Sequence, residues 1–167
     1  QRPAAMADAV PMACRGCAAK VPAQPLSAAL DRVGLGGQPE DAAQLDDHPG
    51  LLQSMDGFPA LVSDPWLNGR LTALHACSDL WACGAGVSSA MATVTLPMVP
   101  GNEQRELLVQ TLAGIRSVLD EQGAELIGGH TMESRSTSPM PTSLGVQITL
   151  TVNGNSSEPP WLKSGLR

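Results

Sequence analysis

The chain has 167 residues, enough for one domain with its own core, and it is acidic, with a formal net charge of -6 and a pI near 4.9. That balance leaves no basic stripe for phosphate backbones and argues against nucleic-acid binding, while 2% aromatic content removes base-stacking platforms and assigns the core to Leu, Val, Ala and Met. No apolar run reaches the length of a membrane span, no leader pattern opens the chain, and four cysteines do not make a secreted disulfide scaffold, so a cytoplasmic, reduced protein is expected.

Residues 1–21 are rich in Ala, Pro and Gly without a period and read as a mobile segment. Pro22 to Val33 carries Leu26, Leu30 and Val33 on one helical face and stops at Gly34. A polar, turn-rich stretch from Gly34 to Gly50 follows, and then Leu51 to Val62 reads as a strand interrupted at Asp56-Gly57. Pro65 opens a helix in the favoured first turn, running to about Cys83 and ending at Gly84. Strand signals return at Val87–Leu96. Asn102 is placed to cap a helix from Glu103 to Gln122, with Leu107, Leu108, Leu112, Ile115 and Leu119 as its apolar stripe and Gly123 as its end. Ala124 to Ile127 reads as a short buried strand running into a Gly128-Gly129 turn. Leu144, Val146, Ile148, Leu150 and Val152 alternate as a half-buried strand does, and Asn153 to Arg167 reads as a linker. The order predicts an α+β (mixed α/β) domain in which two long helices cover one face of a sheet.

Chemistry concentrates at a few positions. Cys17 stands between Arg15 and Lys20, cations that favour the thiolate, and Gly16, Ala18 and Ala19 leave room for a small reactant. The Cys14-x-x-Cys17 spacing also allows half a zinc site or a redox pair, whereas Cys77 and Cys83 read as small buried hydrophobes. Asp79 is the only fully charged residue between Leu71 and Pro100, and its helical spacing puts it on one face with His75 and Cys83. Asp41 and Asp56 each sit at the edge of an apolar stretch. Separated carboxylates of this kind suit a hard cation such as Mg²⁺; each taken singly is more often a turn residue or a cap. Gly128-Gly129-His130-Thr131 offers close backbone approach and N–H donors to an anion, and no Walker loop occurs anywhere.

Taken in order, Gly16-Cys17-Ala18-Ala19-Lys20, Glu40-Asp41-Ala42-Ala43, Met55-Asp56-Gly57-Phe58, Gly69-Arg70-Leu71, Cys77-Ser78-Asp79-Leu80 and Gly128-Gly129-His130-Thr131 resemble the first half of the selenophosphate synthetases (selenide, water dikinases). The resemblance runs from about Gly16 to Asn153. It implies a domain like the N-terminal domain of aminoimidazole ribonucleotide synthetase, pairing with a second copy in a barrel-like homodimer. It also implies synthesis of selenophosphate, AMP and phosphate from selenide and ATP, with Mg²⁺ and a monovalent cation at the phosphates. By motif position Cys17 would be the catalytic thiol and Lys20 the essential cation, also contacting nucleotide. Asp41, Asp56 and Asp79 would hold metal, with Asp56 and Asp79 at the nucleotide too. Gly128, Gly129, His130 and Thr131 would lie near the nucleotide. On this reading residues 1–21 carry the Cys/Lys pair and are poorly ordered without ATP, 22–153 bind ATP and Mg²⁺, and 154–167 link to an absent C-terminal domain. The chain alone is then expected to be inactive or very weak.

The sequence also departs from that family. Ala18-Ala19 replaces the Gly-Cys of many relatives, His75 stands where Asn is common, Glu133 stands near a usual Asp, and Met55-Asp56-Gly57-Phe58 is a loose version of its run. A start on Gln1 would suit the relatives in which this domain follows a flavin-dependent pyridine-nucleotide oxidoreductase. Three alternatives remain open: another ATP-using superfamily member of purine-pathway or hydrogenase-maturation type, a non-catalytic dimerisation or regulatory domain, and a thiol redox module built on Cys14 and Cys17.

Overall fold

The computed structural model describes residues 21–36, 42–45, 47–48, 50–134, 145–157 and 159–160. Cys14, Cys17, Lys20 and Asp41 lie outside them, and so do the expectations placed on those residues and on the segment before Val21. The described elements follow in the order α1 (Ala23–Arg32), β1 (Ala43–Gln44), β2 (Leu51–Phe58), α2 (Pro65–Ala82), β3 (Gly86–Pro97), α3 (Gly101–Gln122), β4 (Glu125–Ser134) and β5 (Gln147–Asn155). The strands form one sheet in the order β1-β2-β5-β3-β4, antiparallel throughout except for the parallel pair β3–β4. Helix α2 lies over β2 and β5, and α3 over β3 and β4, all on one face. This is the expected α+β architecture, a mixed sheet covered by two long helices.

Alternation builds the buried layer. Leu52, Ala90, Ala92, Val94, Ile148, Leu150 and Val152 point under the helices and meet Ala73, Ala76, Cys77, Leu80, Ile115 and Leu119. Each fully buried Leu or Ile stabilises the fold by about 1.5–3 kcal/mol. The helices approach closely because two glycines meet at their crossing. A Cβ at Gly69 would overlap the Thr111 carbonyl, and one at Gly114 would overlap the Trp66 carbonyl. Arg70 then clamps the crossing, donating to Ser117 Oγ at 2.9 Å and pairing with Glu121 at 3.3 Å while its guanidinium sits 5.9 Å over the Trp66 ring. The Gly69-Arg70 motif therefore has a packing role. Asp64, one residue before Pro65, caps α2 by accepting from the Leu67 N–H at 3.0 Å.

Several expectations are corrected. The first helix is Ala23–Arg32 rather than Pro22–Val33, and none of its residues is buried. Methionine does not build the described core: Met55, Met91, Met98 and Met132 are all exposed. The Asp56-Gly57 pair does not interrupt β2 but lies inside it, and the strand ends at Phe58. Helix α3 starts at Gly101 behind Pro100, with no side-chain cap from Asn102. The strand β5 continues through Asn155, into the stretch read as linker.

The largest correction concerns β4, which is neither short nor buried. It runs to Ser134 along the sheet edge, its residues from Ile127 to Glu133 are exposed, and Gly128-Gly129-His130-Thr131 is strand rather than turn. The reason is tertiary. A Cβ at Gly129 would overlap the Ala92 carbonyl, so glycine here lets β4 lie against β3.

Candidate functional site

On β2, residues 52, 54, 56 and 58 share the helix-covered face. Two of them reach α2 directly. Ser54 Oγ donates to Asp79 Oδ2 at 2.8 Å, and the Phe58 ring meets the His75 ring at 5.0 Å between centroids, tilted by 59°. Asp56 lies between Ser54 and Phe58 on the strand and so faces the helical turn that runs from His75 to Asp79. The structure thus brings Asp56, Asp79 and His75 to one flank of the helical layer, beside a serine that sequence reading passed over. The signal for Ser54 was available: a polar residue in an inward row with Leu52 and Phe58, two positions before Asp56.

Gly128, Gly129, His130 and Thr131 lie on the other flank. In register, Asp56 is followed across the sheet by Leu150, Ala92 and Gly129, so three strand steps of about 4.8 Å separate β2 from β4. The β3–β4 register shifts between Ala90 and Met91, passing over Ile127, just before the two glycines. Together with Ala92, Val94, Leu108, Leu112 and Leu126, residues 128–131 line an open groove of about 340 Å³ between α3 and the sheet edge. Its floor is aliphatic and its rim is the β4 strand from Gly128 to Thr131, a shape that accepts a flat apolar body with a polar end. At the far end of β4, Glu133 Oε1 accepts from Gln104 Nε2 at 2.7 Å, tying the strand to the start of α3.

Among the described residues no group of three or more His, Cys, Asp or Glu side chains is placed to hold a metal. Two carboxylates on one face, one of them already oriented by a hydroxyl, fit Mg²⁺, which is held by one or two carboxylates and completes its shell with phosphate oxygens and water. Cys77 belongs to the core, where burial raises its thiol from 9.0 to about 11, and Cys83 is buried too. Neither is poised as a nucleophile.

Residues 39–155 match the family described as AIR synthase related protein, N-terminal domain. Among curated proteins, the selenide, water dikinase of Bdellovibrio bacteriovorus is 29% identical over 164 residues, covering 91% of this chain and 44% of that protein. The selenide, water dikinase of Nitrosomonas eutropha is 32% identical over 130 residues, covering 71% of this chain and 37% of that protein. The chain spans less than half the length of these curated relatives. Among solved structures, the thiamine monophosphate kinase ThiL of Aquifex aeolicus shares the fold. Its complex with AMPPCP and TMP superposes with a TM-score of 0.61 at 14% identity, covering 83% of this chain and 45% of that one.

Proposed function

The chain belongs to the family of AIR synthase related protein N-terminal domains, and from that premise we propose that it is the ATP- and Mg²⁺-binding part of a selenophosphate synthetase. That class of enzyme makes selenophosphate, AMP and phosphate from selenide, ATP and water. The observation that carries the reading is the α2 flank, where Asp79, held by Ser54, and Asp56 share one face in a chain whose curated relatives are selenide, water dikinases. Asp56 and Asp79, with Asp41, would hold the metal. Bound there, Mg²⁺ would neutralise the phosphates and stabilise charge moving onto the leaving group. Cys17 and Lys20 supply the thiol and the cation that handle the selenium nucleophile. The groove along Gly128, Gly129, His130 and Thr131 takes another part of the nucleotide, and a monovalent cation accompanies the phosphates.

The two flanks belong to one nucleotide site if a second copy brings its β4 edge to the β1–β2 edge of the first, which is the reading of the homodimer. Support comes from the open face of the sheet. Along β2, β5 and β3 it presents Gln53, Met55, Thr149, Thr151, Asn153, Met91, Thr93 and Thr95, without one Asp, Glu, Lys or Arg. Met55 and Met91 flank Thr151 in one cross-strand row, 63% and 48% exposed. A charge-free face with exposed methionines is the composition of a covered surface.

The test is AMP formation from ATP in the intact protein, with and without selenide, for the parent, Cys17→Ser and Asp56→Asn. Selenide-dependent AMP in the parent and its loss in both variants is the expected result. AMP formed equally without selenide, or retained in Cys17→Ser, sinks the synthetase reading.

A further inference from the structure

Ser54 is a polar residue in an apolar row. Its neighbours on the buried face are Leu52 along the strand, Val152 across on β5 and Ala90 beyond on β3, and Ser54 itself is 8% exposed. A hydroxyl taken out of water at such a position is costly unless it is bonded. Its bond goes to a carboxylate, Asp79 Oδ2, at 2.8 Å, a charge-assisted contact that links the strand to the helix across 25 residues of sequence. A strand-to-helix staple alone could be made between neutral groups, or by a methyl group filling the same space. Donating to one oxygen of a carboxylate does something more: it fixes the rotation of that group about its last bond.

We propose that Ser54 is a positioning residue for Asp79, holding Oδ2 so that Oδ1 is presented to the cation that arrives with the nucleotide. The inference rests on the reading of Asp79 as a metal ligand. Ser54 touches neither metal nor nucleotide in this role; it acts through the carboxylate. Outer partners of this kind orient metal-binding carboxylates, and their loss costs about 10–100-fold in affinity.

The experiment measures binding of Mn²⁺·ATP to the intact protein by water-proton relaxation, with the melting temperature of the ligand-free protein as a second readout. Ser54→Thr keeps the hydroxyl, and Ser54→Val has the shape of that threonine without it, so the pair separates the donor from the packing. Ser54→Ala serves as a smaller variant should the branched side chains disturb the strand. The expected result is binding weakened about 10-fold in Ser54→Val and Ser54→Ala and within about twofold of the parent in Ser54→Thr. Thr and Val variants that bind alike, or a Val variant that binds like the parent, overturn the inference. Asp79→Ala distinguishes the two levels of failure. If it abolishes binding while Ser54→Val does not weaken it, only the positioning role falls. If it leaves binding unchanged, the metal-site reading falls and takes this inference with it.

Discussion

The two flanks of the helical layer differ in how much of their geometry the chain completes for itself. Under α2, side chains meet side chains: Ser54 bonds Asp79, the Phe58 ring meets the tilted His75 ring, and Asp56 lies between. Along β4, the rim of the groove is exposed strand from Gly128 to Thr131, over a floor of aliphatic residues. Acidic side chains must be aimed before they can hold a cation, and aiming takes partners. A strand that offers N–H groups and close approach needs only its backbone path, which Gly129 secures by lying against the Ala92 carbonyl. One flank is built by side-chain contacts and the other by the absence of a side chain, and the two fail in different ways.

The largest effect is expected where the flanks are brought together. Met91→Arg places a guanidinium in the middle of the charge-free open face, beside Thr151 and Met55 and next to Gly128 in the β3–β4 register. Burying it unpaired costs several kcal/mol, so self-association measured by sedimentation should weaken by roughly 100-fold or more, while circular dichroism of the domain stays that of the parent. An unchanged association constant would break the proposed link between the flanks and leave them as two separate sites.

A smaller effect separates backbone from side chain on β4 itself. In Gly129→Ala the added methyl meets the Ala92 carbonyl, which cannot move without dragging β3, so the denaturation midpoint should fall by the equivalent of about 1–3 kcal/mol. In Gly128→Ala the methyl meets only Met91 Cε at 3.8 Å, an ordinary contact, and stability should stay within about 0.5 kcal/mol of the parent. Equal losses in the two variants would mean that the glycines serve strand flexibility and not close approach.

These residues also mark what could be read in the sequence. The start of α2 at Pro65, the end of α3 at Gly123, the alternation of β5 and the isolation of Asp79 are local signals, and the structure follows them. The glycines gave a misleading local signal. Gly128-Gly129 reads as a turn because glycine permits one, yet its use is a contact with Ala92, more than thirty residues earlier in the chain. Gly57 reads as a break in β2 for the same reason, and in the fold its missing side chain leaves space for Thr149 on the neighbouring strand. Asn102 offered a capping side chain, but α3 begins one residue before it, behind Pro100. Of the site, Asp79 stood out by its charge. Ser54 did not, because its meaning lies in a hydrogen bond to a helix that begins eleven residues later.

The smallest effect concerns the side of α2 that faces away from chemistry. Cys77 precedes Asp79 by two residues, about 200° around the helix, and it is fully buried among Ala73, Ala76 and Leu80. Burial penalises the thiolate and raises this thiol from 9.0 to about 11. In the unfolded chain the same group ionises near 9, so its contribution to stability is complete below pH 9 and is lost progressively as the pH climbs from 9 to 11. The denaturation midpoint of the parent should therefore fall over that window more steeply than that of Cys77→Ala, and at pH 8 iodoacetamide should label Cys77 only after unfolding. Labelling of native Cys77 at pH 8, or identical pH slopes in the two proteins, would mean that α2 opens on its core side. The orientation that Ser54 gives to Asp79 requires α2 to stay seated on the sheet, so the silence of Cys77 and the aim of Asp79 stand or fall with the same packing.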